Sequence, residues 1–175
     1  MNQNDLEILD VSGVDDILLE RFRCTEDNLA LFLKYNAKAY HKAGAGHTTV
    51  FIDKVRNRVI GYFTLKCSCV NINDPEMSYE PRIIPAVEIA RFAIDQRIEK
   101  QGNGKMVFSF ALATIDVLKK SFIGVQMIIL FSLPNVTWFY GKYGFEVIDK
   151  TMATYECKDN EGCICMYSMI NGTDE

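Results

Sequence analysis

Apolar positions fall into short blocks whose spacing changes along the chain, and each block predicts an element. Residues 6–11 alternate as a short first strand. Val14, Ile17, Leu18 and Phe22 recur at helical spacing. A second helix follows, with Thr25 as N-cap, Glu26 and Asp27 in its first turn, and Leu29, Phe32, Leu33, Asn36 and Tyr40 on one face. Gly44 and Gly46 end it. Residues 48–53 and 59–70 read as strands joined by a tight connection, an antiparallel hairpin. Residues 71–85 carry Pro75, Pro81 and Pro85 with little periodicity and predict a surface loop.

Residues 86–94 are apolar enough for a central strand. A helix over 105–120 turns Val107, Phe108, Ala111, Leu112, Ile115 and Leu118 inward. A second central strand spans 125–131, and a short aromatic helix over 136–143 stops at Gly144. Residues 145–148 and 151–157 are extended, 159–162 is a turn, and 163–170 closes a hairpin as the last strand. The pattern predicts a mixed α/β fold. Its central sheet is mostly antiparallel, with one parallel crossover and helices on both faces. The whole chain, residues 1–175, reads as a single domain.

Composition narrows the class. A hydrophobic fraction of 49% and a charged fraction of 24% are those of an ordinary soluble globular protein. No apolar run approaches the roughly 18 residues of a membrane span. The first residues lack a basic segment followed by an apolar one, so a cytoplasmic location and no membrane partner are expected. A formal charge of −4 argues against a generic polyanion binder but leaves room for a local basic patch. Six cysteines are present, and in a cytosol they are reduced thiols. Cys67/Cys69 and Cys163/Cys165 are each two apart, which places both members on one face of a strand. The two-residue gap between paired zinc ligands is missing, so no metal site is expected.

The strand-to-helix link Gln101-Gly102-Asn103-Gly104-Lys105-Met106 is the strongest chemical signal. Glycines let backbone approach a ligand, and the N–H groups of a helix's first turn suit a phosphate. Arg97, Lys100 and Lys105 add positive charge nearby. The spacing excludes a Walker loop and a dinucleotide fingerprint. By itself the link is equally an ordinary turn.

Three segments together resemble the GNAT superfamily of N-acetyltransferases. They are Arg91-Phe92-Ala93-Ile94-Asp95 as its cofactor strand, Gln101 to Met106 as its Gln/Arg-x-x-Gly-x-Gly/Ala loop, and Trp138-Phe139-Tyr140-Gly141-Lys142-Tyr143-Gly144-Phe145 as its aromatic motif. The match departs at Met106, where the family has Gly or Ala. With Phe22-Arg23-Cys24, Gly61-Tyr62-Phe63-Thr64-Leu65 and Ile84-Pro85-Ala86 added, residues 19–145 are similar to the GNAT toxins of bacterial toxin–antitoxin pairs. The resemblance implies acetyl-CoA as cofactor, bound by Phe92, Ala93, Ile94 and Gln101 to Met106. It implies transfer to the α-amine of aminoacyl-tRNA, with tRNA and an antitoxin as partners and a homodimer as the assembly.

Acetyl transfer needs a polarised carbonyl, a neutral amine and a proton for the leaving thiolate. Backbone N–H groups around Phe92 to Ile94 can supply the first. Tyr140 is the candidate proton donor, a phenol that keeps its proton at neutral pH; Tyr143 competes for the role, and packing is the alternative for both. Glu88 on the same strand is a candidate base or a structural partner. His41 and His47 can titrate but read as surface groups. Arg91, inside an apolar strand, must pair with Glu88 or with substrate phosphate. Lys34, Lys38, His41 and Lys42 form a basic helix face, either solvated or a stripe for nucleic acid. Acetylation of a small-molecule or protein amine is the alternative function. A degenerate module that binds CoA or docks a partner is the alternative from another class.

Overall fold

The computed structural model describes residues 5–72, 82–148, 152–154 and 162–170. They fall into two compact units, Met1–Lys66 with Ala90–Asp116, and Cys67–Ile89 with Val117–Glu175.

In the first unit β1 (Leu6–Asp10) pairs antiparallel with β2 (His47–Asp53), which pairs antiparallel with β3 (Arg58–Ile72). Next to β3 comes β4 (Arg82–Ile94). The predicted hairpin is therefore present, with residues 54–57 as its turn and Asn57 in the left-handed region at φ 47. Between Phe51 and Ile52 the register slips, so Phe51 faces Gly61 and Ile52 faces Val59, and Ile60 is bulged out. Short helices α1 (Asp16–Glu20), α2 (Asp27–Leu31) and α3 (Ala37–Lys42) supply Leu19, Ala30 and Ala37 to a core with Phe22, Phe32, Val50 and Tyr62.

Three expectations change here. Thr25 does not cap α2: Glu26 holds the N-cap position, and the Thr25 hydroxyl donates to Glu99 Oε1 at 2.9 Å. The second helix is interrupted by a π-turn over Phe32–Asn36. Its extra residue slips the buried stripe by one position, so Ala37 is buried and Asn36 is exposed. Phe32 and Leu33 can then both stay inside, with Tyr40 edge-on to Phe32 at 5.5 Å. The first helix, expected from Val14, contracts to Asp16–Glu20 behind a 3-10 turn over Val11–Gly13.

The second unit is built on the first half of β4. Residues Ala86 to Ile89 pair in parallel with Met127 to Leu130 of β5 (Met127–Ser132). This is the predicted crossover, made by α4 (Asn103–Ser121). β5 then pairs antiparallel with β8 (Ile164–Met169), and β8 with β6 (Glu146–Val147). The expected closing hairpin between 151–157 and 163–170 is replaced: β7 (Met152–Thr154) pairs with the end of β3, from Val70↔Thr154 to Ile72↔Met152. Val70, Ile84, Ala86, Met127 and Ile129 form its core. The loop expected over 71–85 is also shorter, because β3 runs on to Ile72 and β4 starts at Arg82, with Pro85 inside the strand. Pro85 needs no donor there, and its carbonyl accepts the Gln126 N–H at 3.0 Å. Pro75, Pro81, Cys157 and most of the 159–162 turn lie outside the described residues. Among those residues, no helix is long and apolar enough to cross a membrane.

Candidate functional site

The loop between β4 and α4 is anchored before it begins. A side chain at Gly61 would meet the Ala93 carbonyl at 2.7 Å and Ile94 Cδ1 at 2.6 Å, so glycine lets β3 and the end of β4 close up. The bulged Ile60 offers its carbonyl to the Asp95 N–H at 2.7 Å. The buried Asp95 carboxylate accepts from the Arg97 N–H at 3.0 Å, the Arg23 N–H at 3.3 Å, Arg97 Nε at 2.7 Å and Arg97 Nη2 at 2.6 Å. Burial alone would raise this carboxyl, but the Arg97 side-chain and backbone hydrogen bonds outweigh it and hold it below the usual carboxylate range. Arg97, predicted to bind cofactor, is thus bidentate on Asp95 and also donates to the Arg21 carbonyl at 3.3 Å.

Beyond this anchor the backbone visits the left-handed region twice, at Lys100 (φ 62) and Gly102 (φ 84). Asn103 Nδ2 ties the loop back to the Ile98 carbonyl at 3.0 Å. The Met106 N–H donates to the Gly102 carbonyl at 3.2 Å, so the Met106 amide counted with the loop is already used in the helix. The N–H groups of Asn103, Gly104 and Lys105 lie in the first turn and have no acceptor within α4. Around Gly104 the space is open: an added Cβ would find only Ile94 Cγ1, at 3.8 Å. Packing within the protein does not demand glycine at this point, whereas a ligand lying against the helix end would.

Beside the loop is a pocket of about 610 Å³ lined by Arg56, Arg58, Arg97, Gln101 and Asn103, with Asp53 and Asp5. Asp53 positions two of its arginines, Arg56 at 3.0 Å and Arg58 at 3.8 Å. Arg56 and Arg58 lie outside the sequence motifs. The hairpin predicts their turn, but their place beside the loop depends on the Ile60–Asp95 hydrogen bond, a tertiary contact.

On β4 itself Phe92 is half-buried against Phe108 at 5.4 Å, Ala93 joins the core, and Ile94 faces Gly61. The parallel ladder ends at Ile89↔Leu130, before these residues. Arg91 finds a partner that the sequence did not indicate. Its guanidinium lies over the Phe32 ring at 4.8 Å, and Nη1 donates to the Ala90 carbonyl at 2.9 Å. Of the basic helix face, Lys38 is committed to Asp16 and to the Val14 carbonyl, and His41 to Asp10. Lys34 is half-buried within the π-turn.

In the second unit Glu88 is buried on β4, opposite Ile129 of β5. Pro134 starts a 3-10 turn that leads into α5 (Thr137–Gly141). Tyr140 is buried on α5, with Phe139 at 5.2 Å and Phe145 at 6.3 Å from its ring. Its carbonyl accepts the N–H groups of Tyr143 and Phe145, which folds the aromatic motif into one turn ending at Gly144, φ 77. Burial, with a smaller contribution from the Cys163 thiol, pushes the Tyr140 hydroxyl up to about 12. The described cysteines are free thiols; Cys67, Cys69 and Cys165 lie on strands, and Cys163 immediately precedes β8.

A parallel strand pair joined through a glycine-containing loop and one long helix, within a mostly antiparallel sheet, is the GNAT fold. No protein-family model matches the sequence, and no curated protein matches it. Solved structures do match. One described as a bacterial toxin superposes with a TM-score of 0.77 at 15% identity, covering 94% of this chain and 90% of its own. A tyrosine-to-phenylalanine variant of the toxin AtaT gives 0.76 at 22% identity, covering 95% and 91%. A tyrosine-to-phenylalanine variant of KacT gives 0.73 at 22%, covering 94% and 95%. The AtaT variant has also been solved with acetyl-CoA and the C-terminus of the antitoxin AtaR, and AtaT complexed with acetyl-methionyl-tRNAfMet.

Proposed function

We propose that the protein is an acetyl-CoA-dependent N-acetyltransferase of the toxin type, acting on a primary amine, with the α-amine of an aminoacyl-tRNA as acceptor. The observation that carries this reading is the end of α4. Three first-turn N–H groups stand at a glycine whose Cβ would meet, among the described residues, Ile94 Cγ1 at 3.8 Å. Such a cradle fits the pyrophosphate of a CoA thioester. The AtaT complexes support the donor, the tRNA acceptor and an antitoxin partner by analogy of fold.

In this reading the backbone of Gln101 to Lys105 binds the phosphates, and Arg56 and Arg58 add positive charge beside them. The thioester supplies an activated acetyl group. Backbone N–H groups of Phe92 to Ile94 polarise its carbonyl as the amine nitrogen attacks. The C–S bond then breaks, and the Tyr140 hydroxyl gives its proton to the leaving sulfur. Glu88 is the candidate base that takes a proton from the amine, and Arg91 with Lys34 the candidate contacts to the acceptor. The test is acetyl transfer from labelled acetyl-CoA to purified aminoacyl-tRNA, with polyamines and peptides as competing acceptors. Label on the tRNA-borne amine is expected; no transfer to any amine would leave a CoA-binding module as the correct reading.

One observation favours a small-molecule or protein amine instead. With a net charge of −4, and with Lys38 and His41 paired to Asp16 and Asp10, much of the expected basic stripe is neutralised. Label appearing on a polyamine or peptide rather than on tRNA would select that acceptor.

A further inference from the structure

We propose that Asp10, His41 and His47 form a site for a divalent late-transition ion, zinc foremost, that clamps the end of α3 to strands β1 and β2. Three different elements deliver the ligands: Asp10 ends β1, His41 lies in the last turn of α3, and His47 opens β2. One donor atom from each lies within 4.8 Å of the other two. Both imidazoles turn to the same carboxylate oxygen, with His41 Nε2 3.0 Å and His47 Nε2 3.6 Å from Asp10 Oδ2. The two rings stand 4.8 Å apart. Ligands on a tetrahedral zinc at about 2.0–2.1 Å are roughly 3.3 Å from one another, a separation that the two Asp10–histidine spans bracket, with the two histidine nitrogens within 4.8 Å of each other.

The carboxylate is held for this task. Its Oδ1 accepts the Ser12 N–H at 2.7 Å and the Ser12 hydroxyl at 2.6 Å, which fixes the plane and leaves Oδ2 to the histidines. Packing does not explain the arrangement, because the His47 side chain is 58% exposed and free to point elsewhere. The link between the histidines turns at Gly44, φ 69. The extra residue of the π-turn upstream sets which residues of α3 face inward, and hence the angle at which His41 is presented. Two imidazoles and one carboxylate suit zinc, nickel or cobalt(II), while calcium and magnesium prefer all-oxygen sites. Water completes the coordination on the exposed side.

His41 also provides a reporter. The Thr48 N–H lies 3.5 Å from its Nδ1. An imidazole bound to an ion through Nε2 carries its proton on Nδ1, so ion binding opens the Thr48 contact.

The test is titration of the full chain with cobalt(II), followed by absorption and amide NMR. One ion per chain is expected, without a thiolate-to-cobalt charge-transfer band, with a shifted Thr48 amide, and with displacement by zinc. Zinc should raise the melting temperature. His47→Ala, at an exposed position, should keep the fold yet lower cobalt affinity at least about ten-fold and abolish the zinc-dependent melting shift. Asp10→Asn, which can still accept from Ser12, should do the same. Unchanged affinity in either variant, a thiolate band that places the ion on cysteine, or no saturable binding at millimolar metal would overturn the site. None of these readouts depends on acetyl transfer.

Discussion

At the scale of single residues the proposed site divides into groups assigned a chemical role and groups that hold them. Tyr140 is buried and keeps its proton up to about pH 12. It therefore stays protonated across the working range, and activity should show no alkaline limb from this phenol below that value. Tyr140→Phe should lower kcat by about 10²-fold, the low end for a positioned acid, and leave acetyl-CoA affinity within two-fold by calorimetry. Unchanged turnover would remove Tyr140 from the mechanism. Gly104 offers a complementary test. Alanine fits its open surroundings and is favoured in a helix by about 0.5–1 kcal/mol. Gly104→Ala should therefore raise the melting temperature while weakening acetyl-CoA, two effects that only a ligand-facing glycine would separate. Both positions can be proposed from the sequence because each sits in a motif. The Arg91–Phe32 contact was not, because it pairs residues far apart in sequence that the π-turn brings into register.

At the scale of elements the turn after β4 is the part most exposed to change. Gly61→Ala would drive a methyl group onto the Ala93 carbonyl at 2.7 Å, a backbone atom that cannot swing away. A loss of about 1–3 kcal/mol in urea unfolding is expected. Asp95 makes the same turn sensitive to acid. Its carboxyl is lowered in the folded protein relative to the unfolded chain, as is that of Asp53 beside Arg56. Each contributes stability in full above the unfolded value of about 3.9 and loses it as pH falls through the lower folded value. Stability should thus decline below about pH 4, and Asp95→Asn should flatten that decline while costing about 2 kcal/mol at neutral pH through its lost or weakened hydrogen bonds. Periodicity gave β2, β3, α4 and β5 nearly to their ends, because each has an apolar face that must be buried. It missed the pairing of β7 with β3, since a three-residue strand such as Met152–Thr154 has no pattern long enough to name its neighbour. It also missed the strand character of 82–85, where proline dominates the local signal but sits at a position that needs no donor.

At the scale of the whole molecule the proposed donor should stabilise the fold by mass action. At a hundred-fold excess over its Kd, acetyl-CoA should add about 2.7 kcal/mol, visible as a higher melting temperature; the absence of any shift would count against a CoA site. The last described strand carries a further consequence. β8 comes after β5 and β6 in the chain but lies between them in the sheet, with six register pairs to β5. Until residues 164–169 have been synthesised, β5 lacks its antiparallel neighbour and β6 lacks the strand it pairs with among the described residues. A chain synthesised only as far as β6 therefore cannot complete the sheet of the unit that carries Tyr140, and the folding of that unit waits for β8.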